Sequence, residues 1–294
     1  MNTKKSIPVF IVILFLAAGA FWLINDPVHD FKPSVPGMDN RGKSTLAADI
    51  INIGEHFKFF RREDETKGES WLRFRGSDFD NICKTNIDLI DDFSGGRGEI
   101  QWSAKLGEGH AGAAIYNGLV YLLDYDEEKR ADMLHCWDLE SGEEVWRRWY
   151  EVPIKRNHGM SRTVPAVTDD YILTMGPRCH VMCLDRESGD FLWGIDLERE
   201  YETKTPLWYT GQCPLIDDGL AILAPGGTSL MIAVDCKTGD VEWSTPNTDG
   251  WDMSHSSVLP YTFNGEKMYV YAAVGGIVAV AAEGRNAGEV LWKT

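Results

Sequence analysis

Asp138-Leu139-Glu140-Ser141-Gly142-Glu143-Glu144-Val145-Trp146 is the stretch on which the fold turns. Asp, then Ser three residues on, then Gly is a tight-turn signature: the carboxylate accepts nearby backbone N–H groups and Gly takes a positive φ. The same grammar returns as Asp185-Arg186-Glu187-Ser188-Gly189 before Trp193 and as Asp235-Cys236-Lys237-Thr238-Gly239 before Trp243. The Gly-x-x-x-Trp element alone also stands at Gly98–Trp102 and Gly288–Trp292. Successive tryptophans lie about 44 to 50 residues apart, whereas chance places roughly one such pair, at no fixed interval, in a chain of this composition.

Working outward, a short apolar strand precedes each turn (Met133–Leu139, His180–Leu184, Met231–Val234) and the strand after it carries the Trp. Two further strand-like runs stand upstream in each unit. They are Ala113–Tyr116 with Leu119–Leu123, Val164–Val167 with Tyr171–Thr174, Pro214–Ile216 with Leu220–Leu223, and Val258–Phe263 with Met268–Ala273. Four short strands per period with no helical stretch between them describe one blade of a β-propeller. The expected fold is all-β: four complete four-stranded antiparallel blades, plus one last-strand segment at Trp102, each Trp covering the turn of the neighbouring blade. The fourth unit, Gly284-Arg285-Asn286-Ala287-Gly288, lacks the Asp and Thr and predicts a looser turn. Completing the blade that Trp102 ends needs three more strands, so the chain reads as a piece of a longer propeller or as one closed by partner chains. An open sheet edge otherwise invites aggregation.

These residues resemble the pyrroloquinoline-quinone (PQQ)-type propeller repeat family, in which a strand, a D-x-x-T/S-G turn and a Trp close each blade. Trp71-Leu72-Arg73-Phe74-Arg75-Gly76 is similar to the W-x-x-F-R-G opening of exported bacterial members. The resemblance covers about residues 70–294 and implies a ring of seven or eight blades. The family includes quinoprotein alcohol dehydrogenase-like enzymes and an outer-membrane assembly propeller lipoprotein. Its motifs specify the fold strongly and the activity poorly.

Ahead of the repeats, Lys4 and Lys5 precede an apolar run from Ile7 to Ile24. At about 18 residues the run is borderline between a signal h-region and a spanning helix. Ala18-Gly19-Ala20 offers a cleavage site, while Phe21, Trp22, Leu23 and Ile24 prolong the apolar stretch, so residues 1–25 read as a signal anchor or a cleaved signal peptide. Either way the lysines stay cytoplasmic and the body is exported, membrane-anchored facing the periplasm or free within it. No Cys occurs before Cys83 to carry a lipid near Ala20. Residues 26–69 read as a linker, Pro-, Gly- and charge-rich from Asp26 to Gly42. A short helix is expected over Ser44–Phe60, where Leu46, Ile50, Ile53 and Phe57 follow helical spacing.

Composition narrows the partners. The 294 residues carry 29 Lys plus Arg against 45 Asp plus Glu, a formal charge of −16. Nucleic acid is excluded as a partner, because its binding depends on basic groups displacing phosphate counterions. Hydrophobic content of 44% and charged content of 25% exclude disorder for most of the chain.

Gly37-Met38-Asp39-Asn40-Arg41-Gly42-Lys43-Ser44 matches the phosphate-loop pattern, but no strand precedes it and no parallel α/β pattern follows, so it is read as a coincidence. Asp124-x-Asp126-x-Glu128 resembles the start of a calcium loop but has Lys129 and His135 where Gly and Glu are required, so a hairpin tip is expected. Cys136 and Cys183 lie ten residues before their blade's Trp, where the other units have Ala233 and Ala282, which marks a small buried space. Cys179 and Cys183 are too far apart along a strand to bond each other, and a pair among Cys83, Cys213 and Cys236 stays open. No C-x-x-C pair supports zinc. Gly159-Met160-Ser161-Arg162-Thr163 lacks the last Gly of a nucleophile elbow. His110, Arg162, Gln212 and His255 recur just before each unit's first strand. They are either a ring of contacts at one mouth of the central channel or loop caps that satisfy backbone groups.

The expected function is a binding or scaffold propeller with no catalytic residue and no cofactor, whose ligand, protein or small molecule, stays unnamed. The alternative implied by the resemblance is a PQQ- and calcium-dependent alcohol dehydrogenase-like oxidoreductase. Against it, none of the six cysteines (83, 136, 179, 183, 213, 236) are adjacent and no acidic cluster is identifiable.

Overall fold

The computed structural model describes residues 3–24, 50–61, 68, 70–84, 91–96, 98–155 and 160–294. The chain divides into two units, residues 1–42 and 43–294. Of the first, the helix α1 (Thr3–Ile24) is described. Its side chains are described from Ile11 onward and are exposed. Among the described residues no helix is long and apolar enough to cross a membrane. The linker from Asp26 to Gly42 and the phosphate-loop match at Gly37–Ser44 lie outside the described residues.

The second unit is built from the repeated turn. In three blades the Asp carboxylate accepts the backbone N–H three residues on: Ser141 to Asp138 at 2.6 Å, Ser188 to Asp185 at 2.8 Å and Thr238 to Asp235 at 2.8 Å. The Gly N–H closes each turn onto the same Asp carbonyl at 2.9–3.0 Å. The strands this sets up are, after β1 (His56–Phe59), β2 (Ala114–Tyr116), β3 (Leu119–Asp126), β4 (Ala131–Asp138) and β5 (Glu144–Glu151) in blade I. Blade II holds β6 (Ala166–Val167), β7 (Tyr171–Met175), β8 (His180–Asp185) and β9 (Phe191–Asp196), with a one-turn α2 (Leu197–Glu200) behind it. Blade III holds β10 (Leu215–Asp217), β11 (Leu220–Leu223), β12 (Ser229–Asp235) and β13 (Val241–Pro246). Blade IV holds β14 (Leu259–Phe263), β15 (Glu266–Ala273), β16 (Gly276–Ala281) and β17 (Val290–Lys293). All pair antiparallel in chain order, and the four sheets make part of a β-propeller.

The core lies between the sheets. Apolar clusters join blade I to II (Leu134, Trp146, Ile172, Leu184), II to III (Leu173, Trp193, Ile216, Ile232) and III to IV (Ile222, Met231, Tyr269, Val280). Four tryptophans lie on the turn glycine of the blade that follows them: Trp102 on Gly142, Trp146 on Gly189, Trp193 on Gly239 and Trp243 on Gly288. The indole Nε1 of Trp102 donates to Leu139 O and that of Trp193 to Cys236 O, both at 2.8 Å. In blade IV the turn is rebuilt around a 3₁₀ segment at Gly284–Asn286, and the buried Trp243 Nε1 finds no partner there.

Three expectations are corrected. Residues 50–60 are not helical. They run through a turn at Gly54 into β1, which pairs with β5 as a fifth strand of blade I, His56 opposite Trp149 and Phe59 opposite Trp146. The helix-like spacing arises because Ile53 packs against Gly194 while Phe57 packs on Trp146 and Gly189. Trp102 lies outside any strand and reaches Gly142 from a loop. In blade IV the small residue opposite the tryptophan is Ala279 rather than Ala282, because the longer turn shifts the register by three positions.

Candidate functional site

The loops before the inner strands of blades I to IV gather at one end of the molecule, where the sequence places His110, Arg162, Gln212 and His255. His110 is exposed and its backbone N–H donates to Ser161 O at 2.7 Å, tying blade I to blade II. Arg162 and His255 converge on Gly211, on which a Cβ would stand 2.9 Å from His255 Cδ2 and 3.3 Å from Arg162 Cδ. His255 Nε2 donates to Tyr209 O at 3.1 Å, since a carbonyl only accepts, and its ring stacks on the half-exposed Trp208. Burial, with Arg162 adding to it, holds the His255 pKa below the usual histidine value. His255 is therefore neutral at pH 7.

Gln212 points inward instead. Its amide donates to Ala224 O at 3.0 Å and to Tyr271 Oη at 3.3 Å, and its carbonyl accepts Ala224 N–H at 2.9 Å. It is a latch between blades III and IV, only 1% exposed. The structure thus brings Arg162 and His255 together, leaves His110 one blade away, and takes Gln212 out of the contact surface. Trp208, which extends that surface, and the buried Tyr209 that supports it escaped the sequence reading because they do not recur in the other units. Tyr209 Oη both donates to Lys155 O at 2.7 Å and accepts Lys155 N–H at 3.0 Å, fixing this loop.

A buried polar group lies beneath. Asp132 accepts from Ser161 Oγ at 2.8 Å and from Tyr150 Oη at 3.0 Å. Burial, with the charge of Asp124 adding to it, pushes its carboxyl pKa up to about 7. Asp124 in turn accepts Gly107 N–H and contacts His135 Nε2 at 3.1 Å, while Asp126 pairs with Lys129 across the β3–β4 hairpin. Each of these carboxylates is engaged by protein donors or by a lysine. Among the described residues no three His, Cys, Asp or Glu side chains are grouped to hold a metal ion.

At the opposite end, the Trp71–Gly76 motif crosses the inner strands. Trp71 exchanges backbone hydrogen bonds with Ile115 at 2.8 and 2.9 Å, Leu72 O accepts Val167 N–H, and Arg73 Nη1 donates to Ile216 O at 3.2 Å. A cleft of about 430 Å³ opens beside it, lined by Leu72, Arg73, Asp169, Asp170, Asp217 and Asp218. Three of its acids are held by the blades: Asp169 by Tyr116, Asp217 by Tyr269 and Lys267, and Asp218 by Lys267.

No curated protein matches the chain. The solved structures it resembles include BamB from Moraxella catarrhalis, at 19% identity and TM-score 0.49 over 67% of this chain and 55% of that one. They also include a quinohemoprotein alcohol dehydrogenase from Pseudomonas putida, at 18% identity and TM-score 0.42 over 63% and 34%, and a europium-containing methanol dehydrogenase, at 16% and 0.45 over 63% and 41%. The chain spans about half the length of the first and less of the others. The PQQ-repeat family model described as "Outer membrane protein assembly factor BamB" matches residues 130–294, which run from the end of the blade I hairpin through blade IV. The chain belongs to that family of PQQ-like propellers.

Proposed function

We propose that this protein is an exported propeller that binds a protein partner in outer-membrane assembly and performs no chemistry of its own, with the N-terminal segment directing export or anchoring it to the membrane. The family match over residues 130–294 carries this reading. The geometry supports it: the mouth loops are fixed by Gln212, Tyr209 and Ser161, so Trp208, His255 and Arg162 form a pre-organised contact surface of the aromatic and arginine type that interfaces favour. The surplus of acids favours a basic face on the partner.

The test is to titrate the purified chain with pyrroloquinoline quinone and calcium and record cofactor absorbance and dye-linked alcohol oxidation. Neither a saturable spectrum nor turnover is expected, and a bound, active cofactor would overturn the reading in favour of an oxidoreductase. The contact surface is tested by the Trp208→Ala/His255→Ala double variant against a co-purified assembly component. Binding should weaken about tenfold or more, and unchanged binding would discard this mouth as the surface.

A further inference from the structure

Blades II and III bring two thiols together. Cys183 lies on β8 directly opposite Trp193 of β9. Cys236 is the residue after the turn aspartate of blade III, and its carbonyl accepts both Trp193 Nε1 at 2.8 Å and the Cys183 thiol at 3.4 Å. Both cysteines are fully buried in the same apolar cluster, and neither is bonded to another cysteine.

The other interfaces show what this pair of positions does. Leu139, Arg186, Cys236 and Ala282 are equivalent in standing three residues after the partner of their blade's tryptophan, and the N–H of each donates to a carbonyl at or beside the start of the second strand of its blade, at Gly118, Asp170, Gly219 and Lys267 respectively. Cys136, Cys183, Ala233 and Ala279 are equivalent as the partners of their tryptophans. The blade III–IV interface therefore places Ala233 and Ala282 where blades II and III place two cysteines, and packs both into its core. Packing alone does not require sulfur at either position.

We propose that Cys183 and Cys236 form an interblade disulfide under oxidising conditions, stapling blade II to blade III. The oxidant is a small or protein disulfide, such as oxidised glutathione. One cysteine thiolate attacks it and releases a thiol; the second thiolate then displaces the other thiol from the mixed disulfide. Two S–H bonds are lost, one S–S bond forms, and the oxidant's disulfide takes up the two electrons and two protons. Hydrogen bonding to Cys236 and burial raise the Cys183 thiol pKa, so thiolate is scarce once the blades have docked. The bond therefore forms while the blades assemble and is shielded afterwards. The cysteines stand 53 residues apart, and a closure of that length constrains the unfolded chain strongly.

The test is to denature and reduce the full chain, then refold it in parallel in oxidised/reduced glutathione and in excess dithiothreitol. After oxidative refolding, peptide mass spectrometry should find the Cys183 and Cys236 peptides joined and the other four cysteines open to alkylation. The oxidised protein should melt about 5–10 °C above the reduced one. The Cys183→Ala/Cys236→Ala double variant copies the Ala233/Ala282 pair, so it should fold and melt at one temperature in both buffers. Six alkylatable thiols after oxidative refolding, or a crosslink to any other cysteine, would overturn the proposal. Equal melting temperatures despite the crosslink would overturn its role as a staple.

Discussion

A methyl group built on Gly239 would stand 2.8 Å from Trp193 Cγ, whereas one built on Gly265 meets nothing within 4 Å; the two glycines hold φ of +79° and +83°. Backbone strain is thus common to both sites, and the indole contact belongs to one. Gly265→Ala should cost about 1 kcal/mol and Gly239→Ala about 2 to 4 kcal/mol, read as urea-unfolding midpoints. Near-equal losses would mean that the indole does not need a bare backbone beneath it. Asp132 gives a residue-scale prediction of a different kind. Its folded pKa of about 7 lies above the ordinary carboxyl value, so the folded state binds the proton more tightly than the unfolded chain does. That contribution to stability is complete below about pH 4 and is lost as the pH rises through 7. Asp132→Asn should flatten this part of the stability–pH curve, as measured by melting temperature between pH 4 and 8, and an unchanged slope would place the origin elsewhere.

Among the elements, β1 separates local pattern from tertiary partner. Phe57 stacks near Trp146, lies under the Arg148 guanidinium at 4.5 Å and touches Gly189 of the next blade. Phe57→Ala should therefore destabilise the whole propeller by about 2 kcal/mol, while Lys58→Ala, on the opposite side of the strand, should stay within about 0.5 kcal/mol. If both were neutral, β1 would be an ornament on blade I. The blade strands were legible because their cause is local: the Asp side chain, the Gly and the alternating apolar residues act within ten residues of one another. β1 was not, because Ile50, Ile53 and Phe57 satisfy a helical period, although only Ile53 and Phe57 pack between β5 and blade II while Ile50 is exposed, and only the pairing with β5 decides between the two. The Trp71–Gly76 stretch was legible as a motif, but its course across Ile115, Val167 and Ile216 depends on strands about 45 to 145 residues away. At the mouth, position in the repeat marks the loops before the inner strands, yet it could not tell an inward amide at Gln212 from an imidazole at His255 that meets Arg162 and Trp208.

Among the described residues the contact of an indole with the turn glycine of the following blade is made four times, and between blades I and III it goes with near-complete burial: Trp146 is 2% exposed and Trp193 8%. Trp292 is 44% exposed, and blade IV also shows Val290 at 42%, Ile277 at 43% and Val274 at 58%. Among the described residues no further turn glycine covers that indole. A sheet bearing several exposed apolar side chains is a template for association. The net charge of −16 opposes association by repulsion between copies, and salt screens that repulsion. This polypeptide should therefore self-associate in a concentration-dependent way that strengthens from about 50 mM to 500 mM salt, as followed by sedimentation velocity. Trp292→Arg should reduce it at every salt concentration, because it removes the largest apolar group and places a guanidinium where an apolar face must be dehydrated. Tyr261→Ser, on the inner strand β14 of the same blade, should have the smaller effect if the outer, indole-bearing part of the sheet is the surface that associates. Association undiminished in Trp292→Arg would show that the repeated indole contact, however well it joins the blades within the chain, does not govern how copies meet.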